Sequence, residues 1–228
     1  YQDLKEHATA LEWYQKALDR AHVTGEDPHI REMCPVKIAV CHAEAGEYQR
    51  ALTIVNESLM QNAHLVEAVL VKAQVLEAQQ KVEEAASVFL SLFYFHERPT
   101  LVPVDYQQIK LKACSFLGEY WNKRNNQLLA VALLKIGVAL KNGEAISSEK
   151  ILSLLFDAEE YALCKKVLEY GVAIAESADI YLNLGKTAIM LNQVEDALKY
   201  LTLGHERYPQ DTDINELLIA LKADVHRE

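Results

Sequence analysis

A small residue recurs at a nearly constant interval along this chain, and that recurrence limits what it can fold into more than any other feature. Ala39, Ala51 and Val55 are followed by Ala73, Ala85 and Phe89, each displaced by 34 residues. Ala130 lies 45 beyond Ala85, Cys164 lies 34 beyond Ala130, and Ala197 lies 33 beyond Cys164. Within each copy the apolar residues step by three and four, the period of one face of an α-helix. A unit of this length holds two amphipathic helices and cannot bury its apolar face alone, so neighbours must stack into a continuous core. The clearest copy spans 178–211, ADIYLNLGKTAIMLNQVEDALKYLTLGHERYPQD, hinged near Asn192. Leu184 and Gly185 sit in its first half, Ala197, Leu201 and Gly204 in its second, and Pro209 closes it. Small residues at that spacing let one helix approach its partner closely.

Used as a ruler, this copy divides the chain into a half repeat at 3–20, helix hairpins at 32–62, 66–95, 106–141, 146–174 and 178–208, and a capping helix at 211–226. Ala10, Tyr14 and Ala17 place the opening segment on the second half of the ruler. Ala21–Glu32, with Gly25, Asp27 and Pro28, reads as a connector longer than the others. Pro35 is harmless if its helix begins one residue earlier and kinks the helix if it begins at Pro28. Gly46 suits the first hairpin turn because it reaches positive φ without a Cβ clash. Residues 96–105, HERPTLVPVD, hold two prolines and no helical period, and read as an inserted loop ending in Asp105, a plausible N-cap. The last segment sets Ile214, Leu217, Leu218, Leu221 and Val225 on one stripe with charge opposite. The fold class is all-α, a solenoid of about 12 helices.

The Leu-Gly pair, a later aromatic, then Ala, an aromatic or Leu, a small residue and Pro form a pattern at fixed offsets. Leu184-Gly185, Ala197, Leu201, Gly204 and Pro209 show it, as do Leu117-Gly118, Trp121, Ala130, Leu134 and Gly137. On these residues the chain resembles the tetratricopeptide repeat (TPR) family over essentially its whole length. It departs from the pattern at Leu92 and Leu152, which stand where small residues belong, in the terminal Pro, which occurs once, and in two long connectors.

The resemblance implies a right-handed superhelix with a groove lined by the first helix of each pair, in which a partner peptide or helix lies. Carried over residue by residue, the groove-facing offsets are Lys37, Gln74, Lys112, Glu119, Lys123, Lys150, Asn183 and Lys186. Cochaperones of this family hold a C-terminal carboxylate with paired Lys and Asn in successive repeats. Only Asn183 and Lys186 partly echo that clamp, because the equivalent slots earlier are Val36, Val40, Leu70 and Gln74. Val36, Val40, Leu70, Val71 and Phe116 instead suggest a groove with hydrophobic anchors, part of which contacts the neighbouring turn of the array.

No phosphate loop, metalloprotease, serine-hydrolase or dinucleotide signature occurs in the sequence. Glu83-Glu84 and Glu159-Glu160 fall at helix starts, where negative charge is favourable without any acid–base role. Cys34, Cys41, Cys114 and Cys164 lack metal-ligand spacing and read as buried free thiols, which favours a cytoplasmic setting with the periplasm as the alternative. His22 and His29 flank the first connector and read as solvated. A formal charge of −10 argues against nucleic acid as partner, and no apolar run is long enough for a bilayer. The chain starts in mid-repeat without a Met and reads as a piece of something longer. The expectation is a scaffold with no cofactor, no metal and no catalytic residues, binding another protein. The alternative is a regulatory or docking domain of a larger enzyme or of a bacterial envelope or polysaccharide-secretion subunit. Self-association through the 96–105 loop or an uncapped end is the further partner expectation.

Overall fold

The computed structural model describes residues 2–24, 28–94, 105–144 and 146–225, and the periodic segments within them are helices. In chain order these are α1 (Gln2–Thr24), α2 (Pro28–Glu44), α3 (Tyr48–Gln61), α4 (Val66–Ala78), α5 (Val82–Ser91), α6 (Tyr106–Lys123), α7 (Gln127–Lys141), α8 (Ser148–Asp157), α9 (Tyr161–Ala175), α10 (Ala178–Met190), α11 (Val194–Arg207) and α12 (Thr212–Val225). A 3-10 turn at Leu92–Tyr94 extends α5, and no strand occurs among the described residues. The chain is thus an all-α array of hairpins α2–α3, α4–α5, α6–α7, α8–α9 and α10–α11, preceded by α1 and closed by α12.

Two boundaries differ from the sequence reading. α1 runs on to Thr24 and α2 starts at Pro28, so most of the long connector expected at 21–32 is helix. Gly25 and Asp27 lie outside the described residues. Pro28 occupies the first turn of α2, where a missing N–H costs nothing, and its fixed φ suits helix initiation. Pro35 therefore sits inside the helix, where it removes one internal hydrogen bond. The loop expected at 96–105 also lies outside the described residues, except for Asp105. That carboxylate accepts a hydrogen bond from the Gln108 backbone N–H at 2.8 Å and caps α6.

Each hairpin turns in the same way. One residue takes the left-handed conformation: Gly46 (φ +81°), Gln80 (+61°), Asn125 (+59°), Glu159 (+58°) and Asn192 (+56°). The next residue returns its N–H to the carbonyl five back, Glu47 to His42 at 2.8 Å and Gln193 to Ala188 at 2.8 Å, with Lys81, Asn126 and Glu160 doing the same at 2.9–3.0 Å. This is the Schellman closure, which satisfies carbonyls that a helix end leaves orphaned. Only one of the five turns uses glycine. Two asparagines tolerate the conformation through local hydrogen bonding, and Gln80 and Glu159 accept its steric cost.

Inside the hairpins, Gly118 faces Leu134 and Gly185 faces Leu201. A Cβ on Gly185 would stand 2.5 Å from Leu201 Cδ2, and one on Gly118 2.8 Å from Leu134 Cδ2. The Leu-Gly pair is there to admit the partner leucine. The main core runs from Val36 to Leu184 through Leu76, Phe93, Trp121 and Leu155, and a smaller cluster of Tyr181, Leu182, Leu201, Ile214 and Leu218 seals the last hairpin.

Regular stacking fails in the middle of the array. Leu92 stands at the offset held by Ser58, Gly137, Gly171 and Gly204 in the other hairpins, and it is fully buried. A leucine there blocks the close approach that a small residue permits. Leu92, Phe93 and Tyr94 become a buried hub around which α4, α5, α6, α8 and α9 gather. α9 packs directly on α5 although the α6–α7 hairpin separates them in sequence. Tyr94 lies against Gly171, where a Cβ would be 3.0 Å from its ring, and Lys72 Nζ donates to Tyr170 Oη at 2.8 Å across the same seam.

Candidate functional site

The groove offsets read from the sequence fall on the first helices, and packing leaves them to solvent. Lys37 on α2, Gln74 on α4, Lys112, Glu119 and Lys123 on α6, Lys150 on α8 and Lys186 on α10 are exposed. Asn183 is half-buried, and its backbone carbonyl accepts a hydrogen bond from Thr187 Oγ1 at 2.6 Å. Part of this set comes together. α2 packs beside α4, and Glu77 at the end of α4 lies within electrostatic reach of Glu119 and Lys123 on α6. Desolvation pushes the Glu77 carboxyl above its ordinary range; Glu119 adds to that and Lys123 opposes it. The ladder is interrupted beyond α6, because α8 packs chiefly on α9, α7 and the 3-10 turn. Lys150, Asn183 and Lys186 therefore stand apart from the α2–α4–α6 group.

The apolar anchors expected in the groove are core residues instead. Val36 and Val71 are buried, while Val40, Leu70 and Phe116 are half-buried against the main core. Phe116 lies between Phe89, at a centroid distance of 4.4 Å, and Tyr120, at 6.4 Å. Their area is spent on the contact between neighbouring hairpins.

An apolar face of α7 is open to solvent. Leu134 is 51% exposed, whereas Val55, Phe89, Leu168 and Leu201, at the same offset in the other hairpins, are at most 2% exposed. Val131 (48%), Val138 (60%) and Leu128 (85%) continue the stripe along α7. α7 is turned so that it buries Leu129, Leu133, Ile136 and Leu140 against its neighbours, and no described helix covers the opposite side. One signal in the sequence pointed here. Leu128 stands at an outward offset that carries Gln49, Glu83, Ala162 and Glu195 elsewhere.

Burial raises the Cys34 and Cys41 thiols and pushes those of Cys114 and Cys164 up to about 12, so at neutral pH they are protonated and inaccessible. His42 Nδ1 lies 2.8 Å from Glu47 Oε2, which ties the first hairpin's turn to α2. A cleft of ≈ 440 Å³ between α4, α5 and α9 is lined by Lys72, Glu84, Lys166, Glu169 and Tyr170. Lys72 donates to Tyr170 across this seam, and Glu169 accepts from Tyr200 Oη on α11 at 2.6 Å.

No protein-family model matches the chain, and no curated protein is similar to it. Among solved structures, the Cut9-Hcn1 assembly of the APC/C is 12% identical with a TM-score of 0.46, covering 97% of this chain and 40% of that one. The chain thus spans well under half of the Cut9-Hcn1 chain it matches. YrrB, described as a TPR protein with an unusual peptide-binding site, is 17% identical with a TM-score of 0.42, covering 91% of this chain and 98% of that one. PilF of Pseudomonas aeruginosa is 15% identical with a TM-score of 0.40, covering 94% and 99%. The five equivalent turns, their spacing and the paired Leu-Gly contacts make this chain a TPR-like helical repeat.

Proposed function

We propose that the chain is a non-catalytic scaffold that binds another polypeptide along the first helices of its hairpins. The observation that supports this reading is the row Lys37, Gln74, Lys112, Glu119 and Lys123 on α2, α4 and α6, exposed and unused by packing. Long polar side chains displayed from rigid, adjacent helices can read a bound segment by charge and hydrogen bonding without any reacting group. The lysines favour an acidic partner segment.

A peptide array panned against the purified chain supplies a binder, whose affinity is then measured for wild type, for Lys112→Glu/Lys123→Glu and for Lys150→Glu/Lys186→Glu. The expected result is roughly a tenfold loss or more for the first pair and a smaller one for the second, since α8 and α10 stand apart. Equal affinity in all three proteins removes the assignment.

A further inference from the structure

The open face of α7 has a defined shape, because the other hairpins show what covers it. On α10–α11 the cover is α12, with Ile214 Cδ1 at 3.1 Å from the position a Cβ would take on Gly204, and Leu218 one turn further in the same cluster. On α8–α9 the cover is α10, with Ile180 Cδ1 at 3.3 Å from the same position on Gly171. Gly137 is the equivalent residue of α7. Among the described residues only Cys114 of its own hairpin comes within 4 Å of that position, with Cβ at 3.2 Å and Sγ at 3.9 Å. Gly137 is itself buried within the hairpin, so what α6–α7 lacks is one helix presenting a large aliphatic residue to Leu134 and the exposed valines beside it.

Charge narrows the occupant. α7 carries Lys135 and Lys141 and no acid, in a chain of formal charge −10. Both lysines are exposed. Lys135 is four residues beyond Val131 and three before Val138, and Lys141 is three beyond Val138, so both border the stripe. A second copy apposing its own α7 would set lysines against lysines across the contact.

We propose that Val131, Leu134 and Val138 form a docking surface for an amphipathic helix of a partner protein, with aliphatic residues four apart and an acidic flank. It seats where the next first helix lies on the other hairpins. This surface is separate from the row on α2, α4 and α6 and does not depend on it.

The probe is a fluorescein-labelled peptide of residues 211–225, DTDINELLIALKADV, which carries Ile214, Leu218 and four acids against one lysine. Its binding to the whole chain is followed by fluorescence anisotropy. The expected result is saturable binding that weakens about tenfold or more in Val138→Glu and several-fold in Lys135→Glu, and is unchanged in Lys16→Glu on the exposed surface of α1. Leu134→Glu is avoided because Leu134 also packs on Gly118, and circular dichroism verifies that Val138→Glu retains its helix content. The proposal fails if the peptide does not bind, or if Val138→Glu binds it as tightly as wild type. It also fails if the chain sediments as a dimer that Val138→Glu dissociates, since the occupant is then a second copy.

Discussion

Gly118 and Gly185 occupy one place in two hairpins, and the same substitution should have different consequences at each. A Cβ on Gly185 would meet Leu201 Cδ2 at 2.5 Å and Cγ at 2.6 Å, and Leu201 is fully buried with no room to turn. Overpacking of this kind costs about 1–3 kcal/mol, offset by about 1 kcal/mol from the better helix propensity of alanine. With the contact as short as 2.5 Å the clash falls in the upper half of that range, about 2–3 kcal/mol, so Gly185→Ala should lose about 1–2 kcal/mol, a fall in Tm of roughly 2–8 °C for a chain of this size. On Gly118 the added Cβ meets Leu134 Cδ2 at 2.8 Å and Cγ at 2.9 Å, but Leu134 is half in water and can rotate outward. Its displacement sacrifices little buried area, so the propensity gain nearly cancels the clash and Gly118→Ala should stay within about 0.5 kcal/mol of wild type. Thermal melts of the two variants by far-UV circular dichroism decide the matter. Matching falls in Tm would mean that Leu134 is held as firmly as Leu201, and the open face of α7 would be refuted.

Two further substitutions test the turns and the charge cluster. Glu159 turns the α8–α9 hairpin at φ +58°, so Glu159→Gly should raise the urea midpoint by an amount equivalent to about 1 kcal/mol, and Asn192→Gly by less; a lower midpoint for Glu159→Gly would contradict the turn geometry. Because the folded state raises the Glu77 pKa, protonated Glu77 is the form it prefers, and stability is lost as pH rises through the folded pKa. Glu77→Gln should then melt above wild type at pH 7, with the gap closing as pH falls below the unfolded glutamate value of about 4.3; a gap that widens in acid would reverse the sign of the argument.

Much of the architecture was legible in the residues because it is local. Helical periodicity joins positions three and four apart, and a Schellman turn is written within six residues, so the displacement linking Ala51, Ala85, Ala130, Cys164 and Ala197 also locates the five left-handed residues that close the hairpins. The start of α2 was less legible, since Pro28 and Pro35 each fit a helix beginning and only the fold selects the first. The candidate sites were less legible still. Lys37, Gln74 and the α6 charges could be placed by offset, but Val36, Val71 and Phe116 have the same apolar character whether they line a groove or fill a core.

Sequence alone therefore determined the hairpins, their turns and the small residues that let paired helices approach. Tertiary structure decided which hairpin covers which. That choice rests on Leu92 taking a small residue's place, on the buried hub it forms with Phe93 and Tyr94, and on contacts such as Lys72 with Tyr170, 98 residues apart. No local pattern encodes a contact at that separation. It forms because burying the hub brings α9 against α5, and the same choice leaves Leu134 in water on a helix whose pattern reads as core.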